Sequence, residues 1–255
     1  FRLHPFSLPE LDMALGPAAD HVSTLLTFGG FPEPLLARDE RTLRLWQRER
    51  LTRVVREDLR DLEHVREVSL IEELVDMLPD KVGSLLSVRG IREDLQVDHK
   101  TADRWITILE RLDVCFRIPP FGGRRIRALK KQQKLYLWDW AMVPDIGPRF
   151  ENLVASQLLK FCHWQEDVEG HRMELRFLRD TDGREVDFVV MKNRAPLFAV
   201  ECKTGHKAIS PAIRYFADRT SIPAFYQVHQ QDTYLQTANI TIVPFARFCR
   251  DLGMP

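Results

Sequence analysis

The chain has 255 residues, with 37 Lys and Arg set against 37 Asp and Glu, so its formal net charge is zero. That balance excludes a global field that would draw the whole molecule to nucleic acid or membrane; any such contact has to come from a local patch. Hydrophobic residues at 44% and charged residues at 29% give the profile of a soluble globular protein, and no apolar run reaches the length of a membrane span.

Residues 1 to 36 are rich in Pro and Gly and short in periodicity, so FRLHPFSLPEL and FGGFPEPLL read as ordered connecting segments. From residue 39 to residue 67, Leu43, Trp46, Leu51, Val54, Val55, Leu59 and Leu62 recur at helical spacing among many Arg and Glu. That pattern predicts a long amphipathic helix with a solvated charged face. Together these residues form a first segment, 1–67.

Residues 68 to 118 carry three shorter helical patterns. The third, VDHKTADRWITILERLDV, has Asp98 as its N-cap and an apolar stripe of Trp105, Ile108, Leu109 and Leu112. CFRIPPF follows, then a turn at Gly122 and Gly123, then RRIRALKKQQKLYLWDW. Helices followed by a strand, a glycine turn and a second strand describe a winged helix over 68–142. Arg124, Arg125, Arg127, Lys130, Lys131 and Lys134 make a basic cluster with no acid among them, which suits phosphate contact with DNA. The recognition helix mixes Lys100, Arg104 and Arg111 with Asp103 and Glu110, a poor surface for reading bases, so sequence-specific binding is not expected.

The last segment, 143–255, opens on a helix, ENLVASQLLKFCHW. Strand-like runs follow at MELRFLR, EVDFVV and LFAVECK, then a helix, ISPAIRYFADR, then strands at AFYQVH and NITIVPF. The expected architecture is α/β: a helical connector and a winged helix, then an α/β domain.

Charge is misplaced in two of these strands. Asp187 sits at or near the end of the first, while Glu201 and Lys203 close the second and share one face by strand alternation. If the strands pair, the Asp187 and Glu201 carboxylates meet. They then repel unless a cation lies between them, and oxygen ligands favour Mg²⁺ or Mn²⁺. Lys203, cationic unless strongly desolvated, is suited to stabilising charge on a phosphate and to placing a water, rather than to proton abstraction. Glu151 heads a helical face shared with Val154, Ala155, Leu158 and Cys162, so it belongs to a stripe that otherwise looks buried. Its plainest explanation is an acid in the first helical turn, favoured by the macrodipole.

Asp, a gap, then Glu-x-Lys on the next strand resembles the PD-(D/E)XK nuclease superfamily. Val186 stands where that motif carries its proline. The resemblance implies a restriction-endonuclease-like fold and metal-assisted phosphodiester hydrolysis. Asp187 and Glu201 would hold the metal, with the carbonyl of Cys202 as a further ligand; Lys203 and Glu151 would take the catalytic roles. GGFPEPLL, KLYLWD, FENLVASQLL and LRDTDGREVDFVV through VECKTG resemble, as a set, prokaryotic AAA+ ATPases with a C-terminal domain of unknown function of nuclease-like fold. LWDWAM departs from the D-T-G-L-like run usual there, which leaves Asp139 a structural role.

No G-x-x-x-x-G-K-[ST] occurs, so this stretch is expected not to bind ATP itself and to partner an AAA+ ATPase in cis or in trans. The opening Phe1 fits a piece of a longer protein. Cys115, Cys162, Cys202 and Cys249 lack C-x-x-C spacing, which argues against a zinc knuckle or a disulfide framework and fits a cytoplasmic location with no membrane partner. Two functions follow as expectations. One is a Mg²⁺-dependent DNA nuclease under ATPase control. The other is a non-catalytic DNA- or protein-binding module that regulates or targets the ATPase.

Overall fold

A computed structural model of the chain describes residues 2–16, 18, 20–54, 68–122, 132–205 and 208–255. Among these residues the chain is α/β, with ten α-helices, a six-stranded mixed sheet and a two-stranded antiparallel sheet.

The opening third is more helical than its Pro and Gly content suggests. Helices α1 (Leu8–Leu15), α2 (His21–Phe28) and α3 (Pro32–Ala37) occupy the stretch expected to be connecting segments. The start signal for α1 is local: Ser7 caps the backbone of Glu10 while the Glu10 carboxylate accepts the Ser7 N–H at 2.9 Å, and a proline follows early in the helix. Helix α4 (Glu40–Arg53) is the described part of the predicted long helix; the remainder of that prediction lies outside the described residues.

Helices α5 (Val68–Met77), α6 (Val88–Asp94) and α7 (His99–Arg111) precede strands β1 (Cys115–Ile118) and β2 (Lys134–Leu137), which pair antiparallel. An isolated antiparallel bridge from Leu85 to Lys134 adds a second short connection beside this small sheet. Helices followed by two paired strands is the order the sequence predicts for this stretch; the expected wing turn at Gly123 lies outside the described residues. Asp98 caps α7 as predicted, its Oδ1 accepting from the N–H groups of Lys100 and Thr101 at 2.8 and 3.0 Å. Trp105, Ile108 and Leu109 bury the predicted stripe.

Helix α8 (Ile146–Glu169) is the longest element, and it starts one turn before the predicted position. Strands β3 (Met173–Arg179), β4 (Glu185–Lys192) and β5 (Ala195–Lys203) form an antiparallel meander. After α9 (Pro211–Ala217), β6 (Phe225–His229) joins β5 in parallel. Strand β8 (Ile240–Pro244) joins β6 in parallel, and β7 (Leu235–Thr237) closes the edge antiparallel to β8. Helix α10 (Phe245–Asp251) ends the chain's regular structure. The short β7 and α10 are additions to the predicted order.

One apolar cluster runs from Leu8 through Trp105, Tyr136 and Phe150 to Met254, so the two sheets and their helices share a core. A second cluster, with Val186, Val189 and Ala199 beneath Ile213 and Phe216, fills the other face of the large sheet under α9. The meander is thus covered on both sides, which explains why charge within β4 and β5 stands out.

Candidate functional site

Strands β4 and β5 pair with Phe188 opposite Val200, so the start of β4 lies beside the end of β5. Asp187 is therefore near the beginning of its strand, a correction to its expected place at the strand's end. The antiparallel turn still brings it to Glu201. The Asp187 Oδ2 accepts the Cys202 N–H at 2.7 Å, which fixes the carboxylate against β5. Glu201 and Lys203 share a face, as alternation requires, and their side chains pair at 2.5 Å.

Glu151 comes to the same place from α8. It is not in the first turn, because α8 begins at Ile146. The macrodipole account of this acid therefore fails, since that effect fades beyond the first turn. Val154, Ala155, Leu158 and Cys162 are buried as predicted, so Glu151 heads an otherwise apolar face. What holds it is a pair of side chains from β2: the Lys134 ammonium donates to Glu151 Oε1 at 3.1 Å and the Tyr136 hydroxyl donates to the same oxygen at 2.8 Å. Lys134 also pairs with Glu185 of β4 and lies 4.0 Å from Asp187. Glu185 in turn binds Arg179 at 2.8 Å.

Lys134 was expected to face a phosphate in the basic cluster of the wing. It is instead 1% exposed and turned inward onto these acids. The other members, Arg124, Arg125, Arg127, Lys130 and Lys131, lie outside the described residues. Lys134, Tyr136 and Glu185 are the site residues that sequence reasoning missed. The available signal was strand alternation in KLYL, which puts Lys134 and Tyr136 on one face, together with the Glu-x-Asp spacing of Glu185 and Asp187.

The electrostatics follow from burial. Burial and the neighbouring Asp187 push Glu151 up to about 7, against the pull of Lys134 and the Tyr136 hydroxyl. Burial and Asp187 likewise push Glu201 up to about 8, opposed by Lys203. Asp187 is raised by burial, with Lys134 and the Cys202 amide opposing. Burial disfavours the charge on Lys134, but Glu151, Asp187 and Glu185 outweigh it, so the ammonium is held more firmly protonated than usual. Lys203 is raised too, its burial outweighed by Glu201 and Asp187. Burial raises Glu151, Asp187 and Glu201, while the same acids outweigh burial at Lys134 and Lys203 and raise them too.

A cleft of about 270 Å³ opens beside this cluster, with Glu151, Asp187 and Lys203 in its wall and the α8 start at Gly147 and Pro148 along its rim. Glu201 lies behind the wall, 5% exposed, and its Oε2 has no hydrogen-bond partner among the described residues. Such an orphaned carboxylate oxygen is costly unless something binds it. No group of three or more His, Cys, Asp or Glu stands close enough to cage a metal among the described residues, because Glu151 is drawn to Lys134 and Tyr136. Two carboxylates are nonetheless a donor set that a hard cation such as Mg²⁺ uses, with water and phosphate filling its other positions. Asp187 and Glu201, the second with a spare oxygen, fit that requirement.

Asp139 is buried away from this cleft's lining: it accepts from Gln47 of α4 at 2.8 Å and from the Ala141 N–H at 3.2 Å.

Residues 19–147, just over half of the chain, match the family model described as Domain of unknown function (DUF8612). The chain belongs to the DUF8612 family. Residues 146–248 match a second model, Domain of unknown function (DUF4143), a domain often found C-terminal to AAA ATPases. The two matches meet at the start of α8, so Lys134 and Tyr136 come from the DUF8612 part, while Glu151, Asp187, Glu201 and Lys203 come from the DUF4143 part. No curated protein and no solved structure matches the chain. Among the described residues no helix is long and apolar enough to cross a membrane.

Proposed function

We propose that the cleft is a Mg²⁺- or Mn²⁺-assisted phosphodiesterase centre of the PD-(D/E)XK kind, acting on DNA in association with an AAA+ ATPase in cis or in trans. The observation that carries this reading is the pair Asp187 and Lys203 in one cleft wall, with Glu201 directly behind it, bonded to Lys203 and holding a buried oxygen without a partner among the described residues. Asp187 and Glu201 would hold the ion. A bound divalent ion at such a site supplies positive charge to a phosphodiester and lowers the pKa of a bound water.

The chain's own residues have distinct tasks. Asp187 is oriented by the Cys202 N–H through Oδ2, so its Oδ1, 4.0 Å from the Lys134 ammonium, has a fixed direction. Lys203 presents a permanent cation at the cleft wall, suited to a phosphate oxygen whose negative charge grows in the transition state. Glu151 stands across from it as the acid closest to the α8 rim, positioned by Lys134 and Tyr136 to orient a water. The Arg124, Arg125, Arg127, Lys130 and Lys131 run would add phosphate contacts along the nucleic acid.

The test is Mg²⁺-dependent nicking of plasmid and branched DNA by the wild type, with and without an ATPase partner. Lys203→Ala should lower the rate by roughly 10²–10³-fold with folding retained, the scale of removing one electrostatic stabiliser. Equal rates for wild type and Lys203→Ala would remove the catalytic assignment.

A second reading, a non-catalytic docking module for DNA or protein, is favoured by one observation. Lys134 and Arg179 already neutralise the Glu151–Glu185 side of the cluster. On that reading Asp187→Asn leaves partner binding unchanged and no divalent ion binds.

A further inference from the structure

The acid cluster has two sides. On the outer side Asp187 lines the cleft and Glu201 lies just behind it, its Oε2 without a partner among the described residues. On the inner side both acids, Glu151 and Glu185, are held by cations of the chain itself. Glu151 Oε1 receives Lys134 and Tyr136. Glu185 binds Lys134 through one oxygen and Arg179 through the other. Gly83 presses on Glu151 from the first sheet's side, so closely that a Cβ there would meet Glu151 Oε2 at 3.1 Å. Its φ of +74° also suits glycine, so a side chain there would be strained by the backbone and would press on the acid.

Lys134 is not free to leave. Its backbone pairs with Ile118 and bridges to Leu85, and its side chain is buried beneath α8 and β4. Where two divalent ions serve a phosphoryl transfer, they sit about 3.5–4 Å apart and share the acids between them. Here the acids on the inner side already share an ammonium.

We propose that Lys134, delivered by the DUF8612 part, is a fixed cation filling the place of a second metal, so that the centre takes a single divalent ion on its Asp187–Glu201 side. This rests on the metal-binding reading above and adds its stoichiometry and the origin of its second charge. Lys134 then acts as a positioning residue for Glu151 and as a counter-charge that the chain supplies itself. It also makes the site composite, since the β1–β2 sheet of one family region completes the acid cluster of the other.

The experiment is equilibrium dialysis of the whole chain against Mn²⁺ at pH 8.5, with Mn²⁺ electron paramagnetic resonance on the loaded protein. One ion per chain, lost in Asp187→Asn, and a spectrum without a spin-coupled pair are the expected results. Lys134→Met should admit a second ion or bind the first at least tenfold more tightly, because a repelling charge is gone; Lys134→Arg should keep one ion at near wild-type affinity. Two ions in the wild type, or a Lys134→Met variant that binds as the wild type does, would overturn the role of Lys134 while leaving the metal centre standing. No ion in the wild type would overturn the metal-binding reading itself, and this proposal with it. If Lys134→Met does not fold, Lys134→Gln, which removes the charge but keeps an N–H donor for the acids, is read in its place with the same expected and contrary results.

Discussion

Lys134 shows how one side chain can be both costly and indispensable. An ammonium that is 1% exposed loses its hydration, and only Glu151, Glu185 and the more distant Asp187 compensate. Removing it leaves buried acids without a counter-charge. Lys134→Ala should therefore cost about 3–5 kcal/mol in urea unfolding, and a second substitution, Glu151→Gln, should recover part of that loss. Additive losses in the double variant would mean that the pair is not coupled. The raised acids set a pH dependence. Glu201 moves from the ordinary glutamate range to about 8 and Glu151 to about 7, so between roughly pH 4.5 and 8 the native state binds more protons than the unfolded one. Stability of the metal-free protein should fall as pH rises through that window and level off above it. Glu201→Gln should flatten the slope, as read by thermal unfolding from pH 5 to 9.

At the scale of elements, the contact between α8 and β2 joins the two family regions. Asn152 of α8 bonds both backbone groups of Leu137 in β2, accepting its N–H at 2.9 Å and donating to its C=O at 2.8 Å. Asn152→Leu would orphan both groups in a buried place and should cost about 2–6 kcal/mol, at about 1–3 for each group. A loss below 1 kcal/mol would show that the strand is held by other means. Element identity was legible wherever local chemistry decided it: Asp98 before α7, the alternation that pairs Glu201 with Lys203, and the apolar stripe below Glu151. Lys134 was not legible, because its partners lie on α8 and β4 and only the tertiary fold brings them to β2. The basic run that precedes it, Arg124 to Lys131, suggested solvent and phosphate as its surroundings instead. Helices α1 and α3 were hidden by prolines that read as breakers but sit at helix starts, although the Ser7–Glu10 capping box was present in the sequence. Strand β7 is three exposed residues, too short to carry a period.

Over the whole molecule, the apolar cluster from Leu8 to Met254 passes through both family regions, and the acid site lies on their boundary. Folding of one region should therefore depend on the other. Near-ultraviolet circular dichroism, which reports Trp105 and Trp140, and far-ultraviolet signals should give one coincident thermal transition; separated transitions would argue for independent units. The same geometry makes the site a coupling point, since any displacement of β2 would withdraw Lys134 from Glu151, Glu185 and Asp187 together. The central claim is that the cleft side of this cluster is a divalent-cation site, and differential stabilisation tests it most directly. At pH 8.5, Mn²⁺ at about 100 times its dissociation constant should stabilise the wild type by about 2.7 kcal/mol, or roughly 5–10 °C in Tm. Asp187→Asn, which keeps an acceptor for the Cys202 N–H but removes the charge, should show no such shift. A wild type whose Tm is indifferent to Mn²⁺ and Mg²⁺, or an Asp187→Asn variant that responds equally, would contradict the account.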